Sequence, residues 1–196
     1  MQGREVGRIW YLLDCRGEEE QEVARRCRDG APRGALEAAW ILKCQKLLRY
    51  QGEWHVAERN LFPGYVVLSV PDGPEGIAPL EGVLGKLFPG GRRERNGRLH
   101  AVCRESRESL LGLCGGSMVI RMSRGRICGG SLVVTAGPLA GQEQSIRKID
   151  RHKRVAWVGM PGEGTGDGAG EPAVLQRICV GLEVYEKHAQ DWGLSH

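Results

Sequence analysis

The apolar residues of this 196-residue chain come in short runs, each closed by glycine, proline or a charged residue. "RIWYLLDC" (8–15), "YVVLSV" (65–70) and "SLVVTAGP" (131–138) are examples, rich in β-branched and aromatic side chains. Runs of that length with turn residues at their ends predict strands. Such a chain has to build its core from several short strands joined by tight turns, and its 30 glycines fit that demand. No stretch approaches the roughly 18 apolar residues that cross a bilayer. The first twenty residues hold only "IWYLL" before Asp14, too little for the apolar centre of a signal peptide. A cytoplasmic location is expected, with no membrane partner.

Between these runs lie helices and loops. "GEEEQEVARRCRDG" (17–30) opens with acids, ends with arginines and closes on glycine, which suits the helix dipole and predicts a helix. "WILKCQKLLRY" has the length and leucines of a helix. Gln51-Gly52 and the alternating "EWHVAE" beyond it favour a β-hairpin, followed by a third strand "YVVLSV". "IAPLEGVLGKLF" (77–88) predicts a short helix, "LHAV" a strand and "RESRESLLGL" a helix. Residues 115–131 read as a terminal strand plus linker. From 131 onward, three short strands with a Gly-Pro turn between the first two, a glycine-rich loop at 161–172 and final strands in 173–187 predict a small β-barrel.

Hydrophobic residues make up 41% and charged residues 27%, enough apolar material to exclude wholesale disorder. The net charge of +4 is equalled by one segment, "SIRKIDRHKRV" (145–155), which holds five cations and one acid. A local basic patch is therefore expected, not a polybasic tail. The closest of the seven cysteines, Cys103 and Cys114, are eleven residues apart, which excludes zinc-ribbon and CxxC redox motifs. An odd number of thiols favours the reduced state. "EGTGDGAG" lacks both a GxGxxG frame and a following GK[ST], so a phosphate-binding loop fails. Five scattered histidines form no HExxH, and Glu18, Glu19 and Glu20 serve a helix dipole better than acid–base chemistry. No active site, metal or cofactor is expected.

"WYLL" followed by a helix, a hairpin leading into "LFPGYVVL", a linker, and "GGSLVVTAGPLAG" resemble, in that order, the NusG family of transcription elongation factors. "YQGEWHVAERNLFPGYVVL" and "IRKIDRHKRVAW" with "VGLEVYEK" are most similar to its LoaP branch, specialised paralogues similar in role to RfaH. The resemblance implies an α+β chain. Residues 1–117 would form a NusG N-terminal domain, an antiparallel sheet flanked by helices, and residues 118–128 a linker. Residues 129–190 would form a KOW, SH3-like β-barrel. It further implies a monomeric, non-enzymatic bacterial factor in processive antitermination. "GEGTGDGAG" and "PDGPEGIAPLEG" depart from the family pattern.

Two constellations carry that expectation. Phe62, Pro63 and Tyr65 resemble the patch that holds the clamp helices of RNA polymerase's largest subunit, with Tyr11 on the bordering first strand. Proline fixes φ, Gly64 admits a partner backbone, and two aromatics can fill a groove. From the residues alone, Phe62 and Tyr65 read better as caps on the sheet's own core, and Trp10 and Tyr11 as core. The resemblance moves Phe62 and Pro63 to the interface and lets Tyr65 serve both. The second constellation is Arg147, Lys148, Arg151, His152, Lys153 and Arg154 on a strand–turn–strand whose Ile146 and Ile149 face inward. Its competing reading is an ordinary solvated face. Similarity to LoaP favours contact with a nascent RNA hairpin through phosphates and unpaired bases. "GGRRERNG" (90–97) reads as a solvated turn. The alternatives are a general elongation factor whose barrel binds a termination factor or ribosomal protein, and a ribosome-associated RNA-binding protein.

Overall fold

A computed structural model of the chain describes residues 7–88, 97–161 and 172–185. The structure is α+β. Its first part runs β1 (Arg8–Asp14), α1 (Glu20–Gly30), β2 (Ala38–Trp40), β3 (Lys43–Tyr50), β4 (Glu53–Asn60), β5 (Tyr65–Pro71), α2 (Pro74–Leu87), β6 (Leu99–Val102) and α3 (Arg104–Cys114). The second runs β7 (Val119–Ile120), β8 (Ser123–Cys128), β9 (Ser131–Ala136), β10 (Ile146–Asp150), β11 (Val155–Gly159), α4 (Ala173–Gln176) and β12 (Arg177–Tyr185).

A four-stranded sheet has the order β2-β5-β1-β6, and β1 runs antiparallel to both of its neighbours. Period-two alternation along β1 divides the residues between two cores. Leu13, with Tyr11 partly buried beside it, joins Val23, Ala24 and Cys27 of α1 and Leu80 and Leu84 of α2. Trp10 and Leu12 join Leu110, Leu113 and Cys114 of α3. Helices on both faces explain why Tyr65–Val70 of β5 are all buried and why that run is nearly continuous in β-formers. Helix α2 starts earlier than expected because Pro74 stands in its first turn, where the missing N–H costs nothing.

The hairpin β3–β4 pairs Tyr50 with Glu53 across Gln51 and Gly52, whose φ values of 50° and 86° fit the two-residue turn that its sequence predicts. Strand β7 pairs in parallel with β3, placing Val119 beside Lys43 and Ile120 beside Cys44. The segment 118–128, expected as a linker, is therefore two strands separated by Arg121 and Met122. The first completes the hairpin's sheet and the second opens the next one. A linker reading fails because Ile120 and Ser123 are fully buried.

The C-terminal sheet has the order β10-β11-β12-β8-β9, antiparallel except for the β12–β8 pair. Where final strands were expected in 173–187, the described residues 173–185 form the short helix α4 and the single strand β12. Val134, Leu139, Val158, Leu175, Ile178, Val180 and Leu182 supply its interior, and they share one cluster with the α3 face of the first sheet. The seam between the two parts is close. A Cβ on Gly181 of β12 would lie 2.3 Å from the Gln45 carbonyl oxygen of β3. The Met122 N–H donates to Gln45 Oε1 (3.2 Å), and the Ser106 hydroxyl donates to the Pro161 carbonyl (2.9 Å).

Candidate functional site

The Phe62-Pro63-Gly64-Tyr65 corner is a type II turn. Tyr65 N–H donates to the Phe62 carbonyl (3.1 Å), proline holds the second position, and glycine takes the third with φ 82°. Three further contacts fix it. The Gly64 N–H donates to Glu20 Oε1 (2.9 Å), its carbonyl accepts from the Cys15 N–H (2.8 Å), and the Arg16 stem packs where a Cβ would sit, 2.2 Å from that position. The Gly64 hydrogen bond, together with Glu20's own backbone N–H, holds the Glu20 carboxyl below its ordinary value. Gly64 is therefore required by the turn and by Arg16; the expected approach of a partner backbone has no room there.

The expected exposure of the aromatic corner is not met. Phe62 is 2% exposed and Tyr65 9%, and only Pro63 of the three stands in solvent. Tyr65 packs edge-on to His100 with Arg16 over its ring. Both aromatics belong to the cluster that also holds Val158, Val180 and Leu182 of the C-terminal sheet. Tyr11 is not brought to them. It points to the opposite face, toward the α1–α2 core, because it follows Trp10 in an alternating strand. Burial and the nearby Asp72 raise the Tyr11 phenol pKa.

The cationic constellation is brought together. Strands β10 and β11 pair with a bulge between Ile146 and Lys148, and residues 151–154 turn between them. The Asp150 carboxylate accepts from the Lys153 N–H (2.8 Å) and closes the turn, and Arg154 takes a left-handed φ of 52°. Arg147, Lys148, Arg151, His152 and Lys153 are exposed, while Ile146 and Ile149 pack on the shared core as expected. Arg154 differs. Its guanidinium lies 4.2 Å from the Trp54 ring centroid and pairs with Glu183 at 2.7 Å, so it ties the turn to the β3–β4 hairpin. The Lys148 ammonium sits 5.3 Å from the Trp157 centroid. Sequence reasoning singled out neither tryptophan, since alternation marks 54 and 157 only as strand positions.

No family model matches the chain, and no curated protein matches it either. Among the described residues no three His, Cys, Asp or Glu side chains gather as a metal site, and no helix is long and apolar enough to cross a membrane. Burial raises the Cys15 thiol to about 12 and those of Cys27 and Cys114 to about 11, which keeps them protonated and weakly nucleophilic. The basic loop at 90–97 lies outside the described residues except for Gly97, and the glycine-rich loop at 161–172 except for its two ends.

Proposed function

We propose that this chain is a NusG-type transcription factor of the processive antiterminator kind, closest to the LoaP branch, that contacts nascent RNA through the 147–153 segment. The observation that carries the RNA contact is the turn itself: five exposed basic side chains on one strand–turn segment held rigid by Asp150 and by strand pairing on both sides. Rigid presentation lowers the ordering cost of binding a phosphate backbone. The order of motifs and the α+β layout support the wider reading. A helix-flanked antiparallel sheet fits a NusG N-terminal domain, and five strands joined by a parallel β12–β8 pair fit a KOW barrel.

On this reading the N-terminal part rides on the polymerase clamp helices through the Phe62-Pro63 corner. Because Phe62 lies in a core shared with the C-terminal sheet, that use requires the shared core to open, leaving Pro63 as the first accessible contact. A factor tethered to both polymerase and its own transcript gains effective concentration from each contact. The chain then acts as an adaptor in the cytoplasm, with no catalytic step and no cofactor. One observation favours the second reading, a general factor whose C-terminal sheet binds a termination factor or ribosomal protein: edge strand β9 and its neighbours expose Val133, Ile127 and Tyr185 at about 40%.

The RNA contact is tested with a labelled RNA hairpin and the full chain. Arg151→Ala with Lys153→Ala is expected to weaken binding about tenfold and to reduce the salt slope by roughly the two phosphate contacts removed. Unchanged affinity and slope would remove the turn from the interface.

A further inference from the structure

The β3–β4 hairpin and the turn before β11 flank an open cleft of about 420 Å³ that the phosphate-contact reading leaves unused. Its walls are Leu47, Val155 and the two half-buried tryptophans, Trp54 from the first part of the chain and Trp157 from the second. Lys46, Arg49, His152 and Lys153 also line it, and among the described lining residues there is no carboxylate. Both indoles are held in place by cations, Trp54 by Arg154 and Trp157 by Lys148.

We infer that this cleft takes an unpaired RNA base, with the flanking phosphates on the lysine and arginine rim. The occupant follows from the chemistry. An apolar slot walled by indoles suits a flat aromatic group, which can stack regardless of sequence. A rim whose described residues carry cations and no acid selects the anionic chain attached to that group and disfavours an acid-poor or basic peptide. The volume falls within the roughly 300–1,000 Å³ typical of ligand pockets. The walls come from both parts of the chain, so the slot exists only while they are packed together and takes its base before the shared core opens onto the clamp helices. The inference rests on the RNA reading above and names its recognition element: a bulged or looped-out nucleotide beside a paired stem.

The test uses the full chain and three probes: a mixed-sequence single-stranded RNA heptamer, its abasic counterpart, and a blunt RNA duplex. The heptamer is expected to quench tryptophan fluorescence and to bind at least about tenfold tighter than the abasic strand. Trp54→Ala should erase that difference while leaving duplex affinity and its salt slope unchanged. Trp54→Phe keeps a stacking face and is expected to retain the affinity difference with a smaller quench, which guards against a folding defect in the alanine variant. Equal affinity for heptamer and abasic strand, or a Trp54→Ala variant indistinguishable from wild type, overturns the base slot while leaving the phosphate-binding turn standing. Failure of all three probes to bind overturns both readings together.

Discussion

On one face of the four-stranded sheet, α1 and α2 close a buried core drawn wholly from residues between Leu13 and Leu84. On the other face, Trp10, Phe62, Tyr65 and the α3 leucines share one cluster with residues as far along as Leu182. The first core can persist whatever the C-terminal sheet does. The second loses part of its lining if that sheet departs, because the apolar area it removes from water is the term that stabilises the seam. Of the two proposed contact regions, the Phe62 corner lies on the shared side, while the tryptophan cleft has its walls outside that cluster, between the β3–β4 hairpin and the turn before β11. Binding at either region is coupled to packing of the two parts, at Phe62 through the shared core and at the cleft through walls drawn from both parts.

Gly181→Ala is the sharpest way to break the difference. Its Cβ would meet the Gln45 carbonyl at 2.3 Å and Met122 Sδ at 2.1 Å, and the backbone contact leaves no side chain to swing aside. Destabilisation of about 1–3 kcal/mol is expected in urea titration. Amide exchange should rise along β3 and β12 while the α1–α2 core keeps its protection. Equal loss of protection on both faces would mean that the two cores are one cooperative unit.

Gly64→Ala tests the corner by itself. The left-handed φ of 82° costs an alanine about 1–2 kcal/mol, and the Arg16 stem must move away from the new methyl. A melting temperature equal to wild type would contradict the turn assignment.

Glu20→Gln is the smallest of the three. Its carboxylate joins α1 to the Gly64 N–H, and it is half-exposed, so solvent screening limits the loss to about 1 kcal/mol at neutral pH. The folded pKa lies below the ordinary 4.5. The stabilisation is therefore complete above that value and fades as pH falls through the lowered folded pKa. The variant should be less stable than wild type at pH 7 and converge with it in acid. A gap that persists unchanged at pH 2 would assign the effect to packing instead of charge.

Local chemistry made much of this fold readable in advance. Gln51-Gly52 specified the β3–β4 turn because two positive φ angles leave few residue choices, and the acids and arginines of 17–30 marked α1 by its dipole. What could not be read was long-range. A terminal strand was expected within 115–131, but nothing near Ile120 or Ser123 announces their full burial, since their partners are Cys44 and Leu182. The same limit governs the sites. The cationic turn was visible as a cluster of charge in sequence, but Arg154's stacking on Trp54 joins residues a hundred positions apart. Phe62-Pro63-Gly64-Tyr65 carried two signals at once, turn residues and aromatics. The turn signal was the local one, and the rings are buried as the residues alone read them, while the resemblance had moved Phe62 to an interface.

We propose that this chain rides on RNA polymerase and acts through nascent RNA. Single-round transcription by a bacterial polymerase through an intrinsic terminator, on templates with and without a leader hairpin, tests it most directly. The full chain is expected to raise readthrough when the hairpin is present, and Arg151→Ala with Lys153→Ala to return it toward the level without the factor. Readthrough unaffected by the chain on every template would rule out an antiterminator.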